Sequence, residues 1–394
     1  MTRILVVSEK YWPEGGGAEL ATHRILEYLN SQGFEITVLT GTPNPSSISG
    51  IKYVYEPLLR ASRKIQLWIN CLTLKNTHKF RKLVENADIV YMPGISYPLL
   101  TGLKNRKIVI HLHNYQPIQY TQFVPAPYED FINIIGTPIL DYYMGKLEYG
   151  NCMNGALSFI FSLINKLNKE IIKRADIIIC PSKRQKEIIT SKIPEVSEKI
   201  LTIPNPPPVL NMKNFSKSVT PTIIYVGGRS RVKGFHIALK IVSLLAKKYK
   251  FKAYMLGTST QQKVVKMGSS EIFLYPKLSH DRTLYLLSLS WTLLFPSIIE
   301  EPFPYTVYEA AFLGALPLAT SVGGVLEILE GTVGQEFLVN LNDHYSDLIK
   351  KLDYVLSISL DSFIDISKTL AKEIRKRFNE KNILNAYLNV FRNT

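Results

Sequence analysis

Two α/β domains, each a doubly wound parallel sheet with helices on both faces, are predicted by three observations. Apolar β-branched runs of four or five residues alternate with helical periodicities along nearly the whole chain. A polar, proline-rich stretch interrupts that alternation near the middle. A length of 394 residues also exceeds what a single core of this kind usually needs.

In the first half Ile4–Val7, Ile36–Leu39, Ile89–Tyr91, Ile108–Leu112 and Ile177–Cys180 read as strands. Ala18–Asn30 has helical spacing and sits between the first two as the crossover of a βαβ unit. The segment Ile203–Pro208 (IPNPPP), continued by polar residues from Asn211 to Pro221, reads as an interdomain linker. Strands resume at Ile223–Val226, Ala253–Leu256, Ile272–Tyr275, Thr292–Phe295 and Leu316–Ala319. The expected boundaries are therefore 1–208 and 209–378, with a final helix at Lys381–Arg392 inside a tail of 379–394. Residues 115–165 do not alternate cleanly and are rich in Tyr, Phe, Pro and Asn. An irregular segment of that length is a functional loop or an insertion that only packs.

Composition bounds the class. A hydrophobic content of 46% and a charged content of 20% describe an ordinary globular chain. Ile4–Val7 is a single strand, too short for a signal peptide. The uncharged run Thr283–Ile299 contains Trp291, several serines and Pro296, which suits a buried helix–turn–strand better than a membrane span. Cys71, Cys152 and Cys180 lie far apart and form neither a zinc pattern nor a disulfide framework. A cytoplasmic enzyme, soluble or peripheral at the membrane, is the expectation.

The net charge of +15 is uneven. No acid occurs between Glu56 and Glu85, while Arg60, Arg63, Lys64, Lys75, Lys79, Arg81 and Lys82 all fall there. Trp68 and its apolar neighbours recur among them at near-helical spacing. Two readings stand side by side: a membrane-surface or acceptor-contacting element carrying Arg60, Arg63, Lys64, Trp68, Lys75 and Lys79, and a solvated amphipathic helix packed on the sheet. No nucleic-acid-binding motif accompanies the charge, so nucleic acid is excluded as a partner.

The chemistry concentrates at Phe295–Ala315 (FPSIIEEPFPYTVYEAAFLGA). Glu301 and Glu309 stand with seven residues between them, and Pro304 lies where a helix should begin. The unpaired amides and positive dipole end of such a helix would face the Glu301 loop, which suits a phosphate flanked by carboxylates that grip sugar hydroxyls. Farther upstream, Gly228, Arg229 and Lys233 follow the strand Ile223–Val226. That is where strand ends meet the crevice of an open α/β sheet. Gly15, Gly16 and Gly17 follow the first strand but lack the third glycine of a dinucleotide fingerprint, which argues against a nicotinamide dehydrogenase.

The Glu301-x7-Glu309 pair resembles the signature of retaining GT-B glycosyltransferases, family 4 in particular. The likeness extends to YWPEGGGAELATHRILEYLNSQGFEITVLT at the N-terminus, to IIYVGGRSRVKG at 223–234 and to LGALPLATSVGGVLEIL at 313–329. It implies an N-terminal acceptor domain, a C-terminal nucleotide-sugar domain and a last helix that returns to the first. Its implied donor set is Gly16, Gly17, Gly228, Arg229, Lys233, Glu301, Phe303, Tyr305, Thr306 and Glu309. Arg229 and Lys233 would stabilise the departing diphosphate, Glu309 would accept from the ribose, and Glu301 would bind sugar hydroxyls, with Glu300 as a decoy. His113 matches the histidine beside the transferred sugar, although His111 competes and Asn114 replaces the usual Asp. Pro304 stands where the family commonly has Gly, which removes one backbone donor.

The resemblance thus implies transfer from a nucleotide-diphosphate sugar, UDP-linked first and GDP-linked second, to a glycan or lipid-linked glycan. Protein-linked or surface glycan assembly would be the setting. Retention comes with the family. No Asp-x-Asp motif occurs, so no metal and no cofactor are expected. The alternatives are a nucleotide-sugar epimerase of the same fold and a non-catalytic nucleotide-binding subunit.

Overall fold

The computed structural model describes residues 2–103, 105–128, 136–208 and 217–393. Fourteen strands among these residues form two seven-stranded sheets. The first contains β1 (Arg3–Ser8), β2 (Glu35–Thr40), β3 (Lys52–Tyr55), β4 (Ile89–Met92), β5 (Lys107–His111), β6 (Ile177–Cys180) and β7 (Ile200–Thr202), in the order β3-β2-β1-β4-β5-β6-β7. Its neighbouring strands all run parallel. β1, β4 and β5 are buried on both faces, as their unbroken apolar runs require.

The second sheet contains β8 (Thr222–Val226), β9 (Lys252–Leu256), β10 (Lys263–Met267), β11 (Ser270–Leu274), β12 (Thr292–Phe295), β13 (Leu316–Thr320) and β14 (Leu338–Val339). Its order is β10-β11-β9-β8-β12-β13-β14. β10 is antiparallel to β11, so one edge departs from the purely parallel expectation. The two lysines of Lys263–Met267 break its apolar run and hid this strand, which lies exposed on the sheet edge. In each sheet the strand order reverses at the centre, between β1 and β4 and between β8 and β12. The loops beyond those strand ends face the crevice between the sheets.

The helix Gly17–Ser31 follows β1, with Leu20, Ile25, Leu26 and Leu29 buried. The last helix, Glu380–Arg392, packs against it: Tyr28 donates to Asn385 at 2.5 Å, and Arg24 pairs with Glu380. Tyr387 and Phe391 reach Tyr91 and His111 beneath the first sheet. The chain therefore crosses back to its N-terminal half. Of the linker expected at 203–221, residues 209–216 lie outside the described residues.

Two expectations need correction. The segment 115–165 is not mainly irregular: helices span Thr137–Tyr149 and Cys152–Ile172, although 129–135 lie outside the described residues. The basic stretch 60–82 forms two helices, Lys64–Leu74 and His78–Glu85. Trp68 is buried and donates its indole N–H to the Ile95 carbonyl, so it is core and cannot enter a membrane. Lys75 bonds Thr101 at 3.0 Å and Lys79 pairs with Glu56 at 3.0 Å, both within the domain.

Candidate active site

The loop after β8 is shaped by close backbone contact. Gly228 has φ +62° and lies against Gly257, where a Cβ would come within 3.1 Å of the Gly228 Cα. Gly234 has φ +74°, and a side chain there would meet the Pro296 carbonyl at 2.0 Å. Only glycine allows both the positive φ and this approach. The contact locks the Arg229–Lys233 turn onto the loop after β12. Within that turn Lys233 Nζ stands 4.0 Å from Glu301 Oε1, and Ser297 donates to the same oxygen at 3.2 Å. Glu301 is 9% exposed. A buried carboxylate needs such partners, because desolvation penalises its charged form.

Arg229 stands somewhat apart. It is exposed, and its Nε donates to the Thr258 carbonyl at 2.8 Å. The guanidinium is thus tethered at the rim, and Lys233 is the cation that enters the cavity between the halves.

That cavity measures about 170 Å³ and is lined by Gly17, His113, Asn205, Lys233, Glu301 and the stretch from Pro302 to Thr306. Ligand pockets usually measure roughly 300–1,000 Å³, so it accommodates part of a nucleotide sugar. The helix Tyr305–Phe312 points its N-terminus here, with Pro304 as N-cap and no side chain capping it. Tyr305 packs against Gly17, where a Cβ would come within 2.7 Å of the ring, and donates to the Pro206 carbonyl at 2.6 Å. Phe303 lines the cavity with one side and stacks edge-on against Tyr308 and Phe378 with the other.

Two buried polar atoms aimed at this region lack partners: Nε2 of His113 and Oδ1 of Asn205. An unsatisfied buried polar group calls for an explanation, and at the wall of a cavity a bound ligand would supply one. Burial depresses the His113 pKa to about 3, so the imidazole is neutral near pH 7. His111 is engaged elsewhere: it meets the Tyr91 hydroxyl at 2.9 Å and the Tyr387 hydroxyl at 3.4 Å. Of the two histidines, His113 faces the cavity.

Glu309 is buried and does not line this cavity; its Oε1 lies 2.5 Å from Nε2 of His280. His280 rests edge-on against Trp12 at 5.4 Å. Burial pulls the His280 pKa down, but the hydrogen bond and charge of Glu309, with Asp281, outweigh it and leave it raised. Gly16, like Gly228, Arg229 and Glu309, is not among the cavity's lining residues, and its N–H donates to the Glu19 carboxylate at 2.7 Å at the start of the helix Gly17–Ser31.

Sequence reasoning missed several groups. Glu300 accepts from Arg184 at 2.5 Å, from the Tyr128 amide at 3.0 Å and from the Gly323 amide at 2.8 Å. The suspected decoy is a clasp between the halves. Glu327 adds a second, capping the helix Lys183–Lys192 through the amides of Lys183 and Arg184. Gly323 and Gly324 matter because a Cβ on either would strike the backbone of Glu301 or Pro302. Nothing in the chain near Asn205, Ser297 or His280 signals their roles.

A larger cavity, about 760 Å³, opens in the N-terminal half and is lined by Glu9, Glu14, Arg60, Arg63, Lys64 and Asn114 among others. The three basic residues thus meet a cavity. Lys64 is pulled down to about 7 by burial, against the attraction of Asp141. Glu9, raised by burial, is held by the Ile95 amide at 2.8 Å and the Ser96 hydroxyl at 3.0 Å.

Residues 211–380 match the family described as Glycosyl transferases group 1, and residues 15–207 match Glycosyltransferase Family 4. The chain belongs to the group 1 glycosyltransferases. It is therefore a transferase enzyme of GT-B architecture. Among solved structures, this glycosyltransferase is similar to sucrose-phosphate synthase from Thermosynechococcus elongatus, with 16% identity, TM-score 0.72 and coverage of 100% of this chain and 99% of that one. It is also similar to HepE of Anabaena in complex with UDP-glucose, with 14% identity, TM-score 0.66 and full coverage of both chains. A third is WaaG, a glycosyltransferase involved in lipopolysaccharide biosynthesis, with 12% identity, TM-score 0.65 and coverage of 98% and 99%. At such identities these likenesses speak for the fold. No curated protein matches the sequence.

Proposed function

We propose that this glycosyltransferase moves a sugar from a nucleotide-diphosphate sugar, UDP-linked in preference to GDP-linked, to a glycan or lipid-linked glycan. Transfer proceeds with retention and without a metal or other cofactor. The observation that carries this reading is the convergence of Lys233, Glu301, His113 and a free helix N-terminus on one cavity. Cleaving the anomeric C–O bond builds positive charge on the sugar and negative charge on the diphosphate. Lys233 and the helix amides meet the second, with Arg229 supporting from the rim. Glu301 meets the first and orders sugar hydroxyls. His113, neutral, hydrogen-bonds the sugar or the incoming acceptor, and Glu309 takes the ribose diol.

In the front-face route the acceptor oxygen bonds to the anomeric carbon as the diphosphate leaves. The acceptor proton passes to the departing phosphate oxygen, and the nucleoside diphosphate is released. The acceptor then occupies the 760 Å³ cavity beside Glu9, Arg60, Arg63 and Lys64. Protein-linked or surface glycan assembly at the cytoplasmic membrane face suits a lipid-linked acceptor. The domain roles follow: residues 1–208 hold the acceptor, 209–378 the donor, and 379–394 join the two.

A panel of nucleotide sugars in thermal-shift assays tests the donor, since a ligand of the folded state raises its melting temperature. A UDP-sugar should give the largest shift, and Glu309→Ala should reduce it. No shift with any nucleotide sugar would overturn the reading. Release of an epimerised donor without acceptor would favour an epimerase instead, and turnover unchanged by chelator is expected.

A further inference from the structure

The helix Cys152–Ile172 is inverted. An ordinary surface helix buries its apolar stripe. This one turns Gly155, Ser158, Ser162, Asn165 and Asn168 inward, where Asn165 Oδ1 accepts from Gln116 and Asn168 at 2.9 Å each. Its outward face carries Met153, Leu157, Ile160, Leu163, Ile164 and Leu167, with exposures from 38% to 69%. The preceding helix adds exposed Ile139, Tyr143 and Tyr149. Small residues let the two helices lie close: a Cβ at Gly145 would meet Ser158 Oγ at 2.4 Å. Contiguous apolar surface of this extent marks an interaction site.

Charge identifies the occupant. Of the three acids of the hairpin, two are held by groups inside the protein, and the third, exposed Glu170, is paired with Lys173 at 2.9 Å. Asp141 is buried and accepts from Thr121 and the Tyr120 amide, and Glu148 accepts from Ser230 and the Val232 amide. Lys146, Lys166 and Arg174 are exposed beside the apolar face. Lys169 has its pKa lowered by burial and by the neighbouring charges of Lys192 and Lys166, which marks a cluster of like charges. The acid-free helix Lys64–Leu74 packs on the same turn, Tyr97–Gly102, as the inverted helix. It exposes Ile69 and Leu72. Such a cationic rim would repel a second copy of this chain and suits an anionic surface. No helix among the described residues is long and apolar enough to cross a membrane. The inverted helix instead suits lying in the plane of a lipid interface.

We infer that the helical hairpin Thr137–Ile172 is a membrane-docking element, seating its apolar face among the acyl chains of a bilayer rich in anionic lipid. The membrane contact expected at Trp68 thus moves to the neighbouring hairpin. Through Glu148 the same hairpin holds the Ser230–Val232 turn beside Lys233, so docking brings the transfer cavity to the lipid surface. This purpose rests on the lipid-linked acceptor proposed above, whereas docking itself is testable without donor or acceptor.

The test is cosedimentation of the full chain with phosphatidylcholine vesicles, with and without phosphatidylglycerol. Wild type should bind the anionic vesicles, more weakly as salt rises. Ile160→Glu/Leu163→Glu/Leu167→Glu should lose at least about tenfold in vesicle affinity, with melting temperature and nucleotide-sugar binding unchanged. Leu244→Glu, on the other domain, should bind as wild type. Should the triple variant fold poorly, Lys166→Gln/Lys169→Gln should weaken binding and flatten its salt dependence. Wild type that ignores both vesicle types, variants that bind equally well, or a dimer that the triple variant splits would overturn the inference. Vesicle binding with no transfer activity would sink the acceptor reading and leave docking intact.

Discussion

The loops after β8 and β12 and the segment after β5 both reach the interdomain crevice, yet they are built on opposite terms. The first pair is short and held by backbone contact: Gly234 against Pro296, and Gly323 against Glu301. Each of its carboxylates has an assigned neighbour: Arg184 for Glu300, Lys233 for Glu301 and His280 for Glu309. The segment after β5 departs into a long hairpin that keeps polar groups inside and apolar groups outside. Rigid loops suit charge stabilisation in a transition state, since preorganised groups need no rearrangement during reaction. A hairpin with its apolar side outward suits recognition of a surface. The comparison predicts that substitutions on the donor side act on chemistry or global stability, and those on the hairpin act on location.

The largest expected effect is on turnover. Lys233→Ala should lower kcat by about 10²–10³-fold, the range seen when one preorganised donor to developing negative charge is removed, with the melting temperature close to wild type. Glu301→Gln should also fall well below wild-type transfer. Full activity in either variant would break the assignment of chemistry to the rigid loops.

Next comes the clasp. Arg184→Met leaves Glu300 buried with two amide donors and without its cation, and should cost about 3 kcal/mol of stability. Urea denaturation measures it, and a loss under about 0.5 kcal/mol would place the clasp among ordinary surface pairs.

Glu309→Ala should weaken donor binding by about 1.5–3 kcal/mol, the range for hydrogen bonds to charged groups. Calorimetry with the best nucleotide sugar checks it. An unchanged affinity would refute the ribose role.

The smallest effect is a pH dependence. The His280 pKa is raised in the folded protein by Glu309, so its contribution to stability is fully present below the unfolded value of about 6.5 and is lost as pH rises through the folded value. Nuclear magnetic resonance titration should find His280 above its ordinary pKa in wild type and lower in Glu309→Gln, where only the charge of Asp281 still opposes burial. Equal values in both proteins would show that the pair is not coupled.

Much of this was legible because periodicity and glycine placement are local properties. The β-branched runs mark ten strands, and they are less sharp at the edges, where β10 is charged and exposed, than at the centre, where β1, β4, β8 and β12 are mostly apolar. Lys233 and Glu301 could be paired through motif order, and the cavity joins them with His113 and Gly17. The role of Gly16 is not legible in sequence, because a glycine turn before a helix looks the same whether its amide faces a ligand or, as the Gly16 amide does here, an internal carboxylate such as Glu19. Trp68 misled because basic residues around an apolar stripe describe a membrane helix and a core-packed helix equally well.

By itself the chain determined its alternating strands and helices, its two-sheet division and the cationic turn and acid-flanked helix tip, since each depends on neighbours in sequence. Tertiary structure alone decided that Glu300 clasps Arg184, that His111 packs while His113 faces a cavity, and that the outer face of Cys152–Ile172 is the apolar one. The physical reason is that hydrophobic periodicity reports which side of a helix differs from the other, whereas only contacts across long sequence separations decide which side meets protein and which is left to a partner.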